Sequence, residues 1–248
     1  MRIFGLIGEN LEKSFSSKYF QKKFLKEKIM DAQYINLELT DIMELKKLVK
    51  KHTFSGLNIT MPYKESVIPL LDGLSKEAKE IGAVNTIRFI GNKLIGYNTD
   101  YIGFTKSIQT LLESRKKALI LGNGGAAKAI KYALRTLNIE YKIVTRRGAF
   151  NYVDVTKEIL EDYNIIINTT PIGAYPIANS CPKIPYEYLN ERHLLFDLTY
   201  NPNQTKFLIY GKERNTQTKN GIEMLHIQAE ESWNIWNSRV TKYYLICN

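Results

Sequence analysis

A chain of 248 residues with 44% hydrophobic and 24% charged content can form one large domain or two small ones, and its composition is that of an ordinary globular protein. No apolar run approaches the roughly 20 residues of a membrane span. Met1 to Gly5 passes straight into a strand pattern without a leader, so a cytoplasmic protein with no membrane partner is expected. The net charge of +10 raises nucleic acid as a partner. Acids nevertheless interleave with lysines on helix-like segments such as 21–28 and 44–51, and Ile42, Leu45 and Val49 share one helical face opposite most of the lysines. That is the pattern of a solvated face, and it favours anionic small molecules over nucleic acid. Cys181 and Cys247 lack metal-ligand spacing, and His52, His193 and His226 are scattered; neither a disulfide framework nor a metal site is expected.

In chain order, Ile3–Ile7 reads as a strand, Lys18–Met30 as a helix and Tyr34–Leu39 as a strand. Asp41 is a candidate N-cap for a helix to Lys51. Leu57–Thr60 is a strand that stops at Pro62, and a helix-like run begins near Lys64. Ala83–Ile90 and Leu94–Asn98 flank Gly91-Asn92-Lys93 as a hairpin. Asp100 opens a helix to about Glu113. This alternation predicts a mostly parallel sheet with helices on its faces. A second unit starts at Lys117, with strand Ala118–Leu121, a glycine-rich loop and a helix to about Leu137. Tyr141–Val144, Ile165–Ile167 and Leu194–Leu198 are further buried strands, and the chain is helical from Ile222, with Trp233 and Trp236 to bury.

The loop after Leu121 carries the chemistry of a dinucleotide site. Gly122, Gly124 and Ala127 match G-x-G-x-x-A between a strand and a helix, with Gly125 and Ala126 completing the turn. Gly122 permits the tight turn, Gly124 lets backbone approach a pyrophosphate, and Ala127 allows helix to pack on strand. The helix N-terminus then offers N–H groups and a positive dipole to phosphate. The next strand ends in Thr145-Arg146-Arg147, where an NAD site would carry a carboxylate. Two guanidiniums suit a 2′-phosphate through forked hydrogen bonds, so NADP is favoured over NAD.

In the first unit, Asn58, Thr60 and Lys64 lie at a strand end, where α/β enzymes place reacting groups; Asn58 and Thr60 share one face. Ser14 and Ser16, ahead of a helix, offer a carboxylate cradle, although Ser16 or Ser17 can equally be a plain N-cap. Asp100 can cap its helix, or hold Lys64 protonated and oriented.

Taken in order, Ser14-x-Ser16, Asn58-x-Thr60-x-Pro62-x-Lys64, Ala83-Val-Asn85-Thr86, Asn98-Thr-Asp100 and the Gly122–Ala127 loop resemble the shikimate dehydrogenase family. Asn168-Thr169-Thr170-Pro171-Ile-Gly173, Asp197-Leu-Thr-Tyr200-Asn-Pro202 and Gly221-Ile-Glu-Met224-Leu225-x-x-Gln228-Ala229 extend the likeness. The resemblance implies two α/β domains, a substrate domain of residues 1–100 plus 223–248 and a Rossmann-like NADP domain of residues 101–222, with the site in a cleft between them. It implies reversible NADPH reduction of 3-dehydroshikimate to shikimate, in chorismate and aromatic amino acid biosynthesis, by a monomer or homodimer. By position it makes Lys64 and Asp100 the catalytic pair, and Ser14, Ser16, Thr60, Asn85, Tyr200 and Gln228 the substrate contacts. Arg146 and Arg147, with Thr145, take the 2′-phosphate, while Thr169, Gly221 and Met224 lie by the cofactor. The chain departs from the family at Asn10-Leu11-Glu12-Lys13 and Ser17, where Pro-Ile-x-His and Pro are frequent, and at Arg147, where Thr is usual. The stretch Ala149–Val155 leaves little room for a full helix. A quinate/shikimate dehydrogenase of broader substrate use and a catalytically silent nucleotide-sensing paralogue are the competing readings. A methylenetetrahydrofolate dehydrogenase would share the two-domain plan but has no evident pterin pocket here.

Overall fold

The computed structural model of the chain describes residues 1–12, 14–238 and 244–245. Lys13 and Cys247, both named above, lie outside the described residues. Contacts divide the chain into two compact units, Met1–Asp100 with His226–Asn248, and Tyr101–Leu225.

Strand β1 (Arg2–Gly8) is followed by helix α1 (Phe15–Lys26) and strand β2 (Ala32–Glu38). The helix starts before Lys18 because Ser14, rather than Ser16 or Ser17, is its N-cap; Ser14 Oγ accepts from the Ser17 amide at 3.4 Å. It ends short of Met30, where Lys28 turns to a φ of 55°. Asp41 and Glu44 form a capping box on a 3₁₀ turn, Ile42–Glu44, that leads into α2 (Leu45–Lys51). After β3 (Gly56–Ile59), the helix expected near Lys64 is instead a run of turns ending in a 3₁₀ turn, Ile68–Leu70. Pro69 has no N–H to donate and restricts Ile68, so an α-helix cannot run through. Two short elements lack a periodic run long enough to read from sequence, β4 (Gly73–Leu74) and α3 (Lys76–Ile81), the latter capped by Ser75 and closed by Gly82 at φ 68°. The hairpin is β5 (Thr86–Ile90) and β6 (Lys93–Tyr97), turning through Gly91 at φ 57°.

Helix α4 (Asp100–Ile108) passes into a 3₁₀ turn, Gln109–Leu111, so the predicted helix to Glu113 is real but tightens at its end. Then come β7 (Lys117–Leu121), α5 (Gly125–Thr136), β8 (Glu140–Val144), a 3₁₀ turn Tyr152–Asp154, α6 (Lys157–Asp162), β9 (Ile165–Asn168), a 3₁₀ turn Tyr186–Tyr188, β10 (Leu194–Asp197), α7 (Lys206–Glu213), β11 (Gln217–Asn220) and α8 (Ile222–Asn237). The backbone of β12 (Tyr244–Leu245) pairs with β4.

The first unit's sheet has the order β12-β4-β6-β5-β3-β1-β2. It is mixed: β2, β1 and β3 are parallel, whereas β3–β5 and β5–β6 are antiparallel. The hairpin turn inserts an antiparallel pair into what alternation alone reads as parallel. Along β1, Phe4 and Leu6 enter one core cluster with Phe20, Phe24 and Trp236, while Ile7 enters another with Leu45, Leu57 and Val67. Period-two alternation thus sends one strand's side chains into two apolar layers. Trp236 donates from Nε1 to the Ile87 carbonyl at 3.0 Å and lies so close to β3 that a Cβ on Gly56 would meet its ring at 2.3 Å.

The second sheet, β11-β10-β9-β7-β8, is parallel throughout. Ala118 and Ile120 of β7 face one cluster and Leu119 and Leu121 the other, as expected of strands covered on both faces. Chain order reverses at β7, whose neighbours are β8 and β9, so this edge is the sheet's switch point. Most lysines of α1 and α2 lie on the outside as the charge pattern predicts. Lys23 is the exception, buried against Glu27 and Glu230 at 2.7 and 2.9 Å.

Candidate active site

Lys64 sits in the turns after β3, and its Nζ donates to Asp100 Oδ2 at 2.7 Å. Both side chains are withdrawn from solvent, 16% and 5% exposed. An isolated buried charge is costly, and the ion pair leaves neither group without a partner. Asp100 is the first residue of α4, and its amide donates to Asn98 Oδ1 at 3.0 Å. Asn98 therefore caps the turn and leaves the Asp100 carboxylate for Lys64. The second carboxylate oxygen, Oδ1, accepts from Asn85 Nδ2 at 2.8 Å. The same amide nitrogen lies 2.9 Å from Gln228 Oε1 on α8. Lys64, Asp100, Asn85 and Gln228, far apart in sequence, thus form one hydrogen-bonded cluster within the first unit.

Other predicted residues of this unit make no direct bond to this cluster. Thr60 follows β3; its amide donates to Ile7 O at 2.9 Å and its methyl covers Gly8, where a Cβ would meet it at 2.4 Å. Ser14 caps α1, so its hydroxyl serves the helix as well as any ligand. Ser16 stands in the first turn near the Tyr34 phenol; burial pushes that phenol well up from its ordinary value, and Ser16 opposes the rise. Tyr34, Thr99 and Ser232 were not singled out by sequence reasoning, yet all three are buried beside Asn58 and Asn85. Ser232 carried a usable signal, since it stands four residues after Gln228 on the same helical face. Tyr34 carried none.

The second unit holds the nucleotide-site candidates at the C-terminal end of its sheet. Gly122 leaves β7 at φ 107°, and a Cβ there would lie 2.8 Å from Thr169 Oγ1. Thr169 donates from Oγ1 to the Leu121 carbonyl at 2.8 Å, which ties the loop after β9 to the end of β7. Gly124 is the N-cap of α5 with no side-chain cap, and a Cβ on it would meet nothing within 4 Å. In the first turn of α5, Gly125 and Ala126 are half-buried, while Ala127 is buried against the sheet. An uncapped helix N-terminus of this kind fits a diphosphate. Arg146 and Arg147 are exposed beyond β8, and Thr145 bridges to Asn151. Gly221 is pressed against Leu198, where a Cβ would come within 2.2 Å of the carbonyl oxygen. Met224 is 5% exposed within the cluster of Phe104 and Phe196, a packing position. Tyr200 follows β10, half-buried, in this second unit.

Asp197 joins two of the loops here. It accepts from Asn168 Nδ2 at 3.1 Å, the Thr199 amide at 3.0 Å and Thr205 Oγ1 at 2.6 Å, and burial raises its pKa against the pull of those bonds. Among the described residues no group of three or more His, Cys, Asp or Glu is arranged to hold a metal ion, and no helix is long and apolar enough to cross a membrane.

A parallel sheet with an open glycine loop at its switch point, together with a unit carrying a buried lysine–aspartate pair, defines a two-unit α/β protein of nucleotide-binding type. The model of the shikimate dehydrogenase substrate binding domain matches residues 6–87. The shikimate dehydrogenase (NADP(+)) of Clostridium beijerinckii is 39% identical over 249 residues, covering 95% of this chain and 92% of its own. The crystal structure of the Aquifex aeolicus shikimate dehydrogenase superposes with a TM-score of 0.85 at 33% identity, covering 96% of this chain and 92% of its own. That of the Thermus thermophilus enzyme, in complex with NADP(H) and shikimate, gives 0.83 at 28% identity, covering 96% and 94%. The chain belongs to the shikimate dehydrogenase family.

Proposed function

We propose that the protein is an NADP-dependent shikimate dehydrogenase that reduces 3-dehydroshikimate to shikimate and runs the reverse oxidation. The observation that carries this reading is the buried Lys64–Asp100 pair with Asn85 and Gln228 gathered on it. Residues 1–100 with 223–248 serve as the substrate domain and 101–222 as the NADP domain, in a cytoplasmic monomer or homodimer acting on small molecules.

NADP, when bound, supplies the hydride chemistry. The residues that would hold it are Gly122, Gly124, Gly125, Ala126 and Ala127 for the diphosphate, and Thr145, Arg146 and Arg147 for the 2′-phosphate. Thr169, Gly221 and Met224 shape the backbone and walls nearby. The chain's own contribution is to orient the substrate and move a proton. Lys64 has three N–H groups and spends one on Asp100, which leaves protons for a carbonyl oxygen at C3. In reduction it donates one as negative charge gathers on that oxygen; in oxidation it takes the proton from the hydroxyl. Asp100 fixes the direction of the Lys64 Nζ through its hydrogen bond. Ser14 and Ser16 hold the carboxylate, and Thr60, Asn85, Tyr200 and Gln228 hold the ring oxygens.

The test is initial-rate oxidation of shikimate and of quinate, each with NADP and with NAD, followed by absorbance of the reduced nicotinamide. Shikimate with NADP is expected to be the preferred pair. Absence of turnover with that pair sinks the reading, and preference for quinate with NAD replaces it.

A further inference from the structure

Behind the candidate catalytic pair, the first unit buries a chain of polar side chains that no step above uses. Asn58, Thr86 and Ser232 are all shielded from solvent, with Thr86 and Ser232 fully buried. Asn58 Nδ2 lies 3.0 Å from Ser232 Oγ and 3.1 Å from the Asn85 backbone oxygen, and its Oδ1 accepts from the Tyr34 phenol at 2.8 Å. Ser232 Oγ lies 2.8 Å from Thr86 Oγ1, and Thr86 Oγ1 lies 3.1 Å from Asn85 Oδ1.

The direction of these bonds is set by groups that have only one role. The Thr99 amide can only donate, and it points at one atom of the Asn85 side chain at 2.8 Å; that atom must be the oxygen. Asn85 Nδ2 is thereby turned towards Asp100 and Gln228. The Asn85 backbone carbonyl can only accept, so the Asn58 atom facing it must be the nitrogen. The Gln228 backbone carbonyl can only accept, and it takes the single Ser232 proton at 2.9 Å; the single proton of Thr86 goes to Asn85 Oδ1, and Thr86 Oγ1 accepts from Asn58 Nδ2 at 3.2 Å. Protons therefore run from Tyr34 to Asn58, from Asn58 to Thr86 at 3.2 Å, and from Thr86 to Asn85, while Ser232 packs beside Asn58 and Thr86 as an acceptor. Asn85 donates to the Asp100 carboxylate that Lys64 holds on its other oxygen.

We propose that Thr86, with Ser232 and Asn58 behind it, is a positioning residue: this proton-ordered chain locks the Asn85 amide so that Asp100 is presented to Lys64 as a pure acceptor. It also assigns the face of Gln228. Its Oε1 is taken by Asn85, so its Nε2 is the group left to face a ligand, as a donor to substrate oxygen. The kinetic part of this inference rests on the dehydrogenase reading; the geometric part does not.

Thr86→Val removes the hydroxyl and keeps the branched shape that β5 accommodates. Because small misplacements at a reacting centre are expensive, kcat/KM for shikimate is expected to fall about 10- to 100-fold. NADP affinity, measured by nucleotide fluorescence, should stay at the wild-type value, and Thr86→Ser should restore most of the loss. A crystal structure of Thr86→Val should show the Asn85 amide rotated off Asp100. Wild-type kcat/KM in Thr86→Val, or an Asn85 Nδ2 still 2.8 Å from Asp100 Oδ1 in that structure, overturns the inference. Should the wild-type protein not oxidise shikimate with NADP, the dehydrogenase reading fails, and the crystal structure alone decides the positioning role.

Discussion

At the scale of single residues, the reading turns on Lys64. Alone in sequence it is a lysine after a strand; folded, it is 16% exposed and bonded to a carboxylate that is 5% exposed. Lys64→Ala should lower kcat by about 10²–10⁴, the usual worth of a general acid–base group; near-normal turnover would remove Lys64 from the mechanism. Arg146 is exposed beyond β8, with no carboxylate at the strand end to suit a ribose hydroxyl. Arg146→Ala should weaken NADP binding by about 1.5–3 kcal/mol, the scale of a hydrogen bond to a charged group, and barely touch NAD. Equal losses for both nucleotides, measured by isothermal titration, would contradict the 2′-phosphate role. Lys64, Asp100 and the Gly122 loop were legible because their residue types and spacings carry chemistry. Tyr34 and Ser232 were not, because a hydroxyl's importance lies in its neighbours, and those come from strands and helices distant in the chain.

At the scale of elements, caps and close approaches decide where the pattern holds. Ser75 is buried and accepts from the Ala78 amide at 3.1 Å, which opens the short α3. Ser75→Ala should cost about 1 kcal/mol in urea unfolding; an unchanged midpoint would mean that tertiary packing alone holds α3. Gly56 lies under Trp236, and Gly56→Ala should destabilise the chain by about 1–3 kcal/mol, as overpacking does. The strands of the second sheet were readable as apolar runs because both of their faces are covered. The mixed character of the first sheet was not, because strand periodicity says nothing of direction. The start of α1 was shifted for a related reason: three serines in four residues can each cap, and only the folded backbone selects Ser14.

At the scale of the whole molecule, stability should depend on pH through buried groups. His193 is 1% exposed, with Nε2 2.9 Å from the Leu160 carbonyl; burial holds its pKa below the ordinary 6.5. The folded state then binds fewer protons at this site than the unfolded one. The contribution of His193 is complete above about pH 6.5 and is lost as pH falls below that value towards the depressed one. Asp197 acts in the opposite sense, since its raised pKa makes the folded state bind more protons above the ordinary 3.8. A fall in melting temperature between pH 7 and pH 5.5 is therefore expected in the native chain, with a shallower fall in His193→Gln. Parallel curves for the two proteins would exclude His193 as the source.

The amino-acid sequence by itself determined the α/β class, the glycine loop with its arginines, and the residue types of the lysine–aspartate pair. These depend on local periodicity and on spacing along one element or one turn, which the chain carries wherever it folds. Tertiary structure alone decided which serine caps α1, which way the strands of the first sheet run, and that Asn58, Thr86 and Ser232 stand in line behind Asn85. Each of those facts depends on groups brought together from separate elements, where a fixed backbone donor or acceptor sets the role of every side chain that meets it.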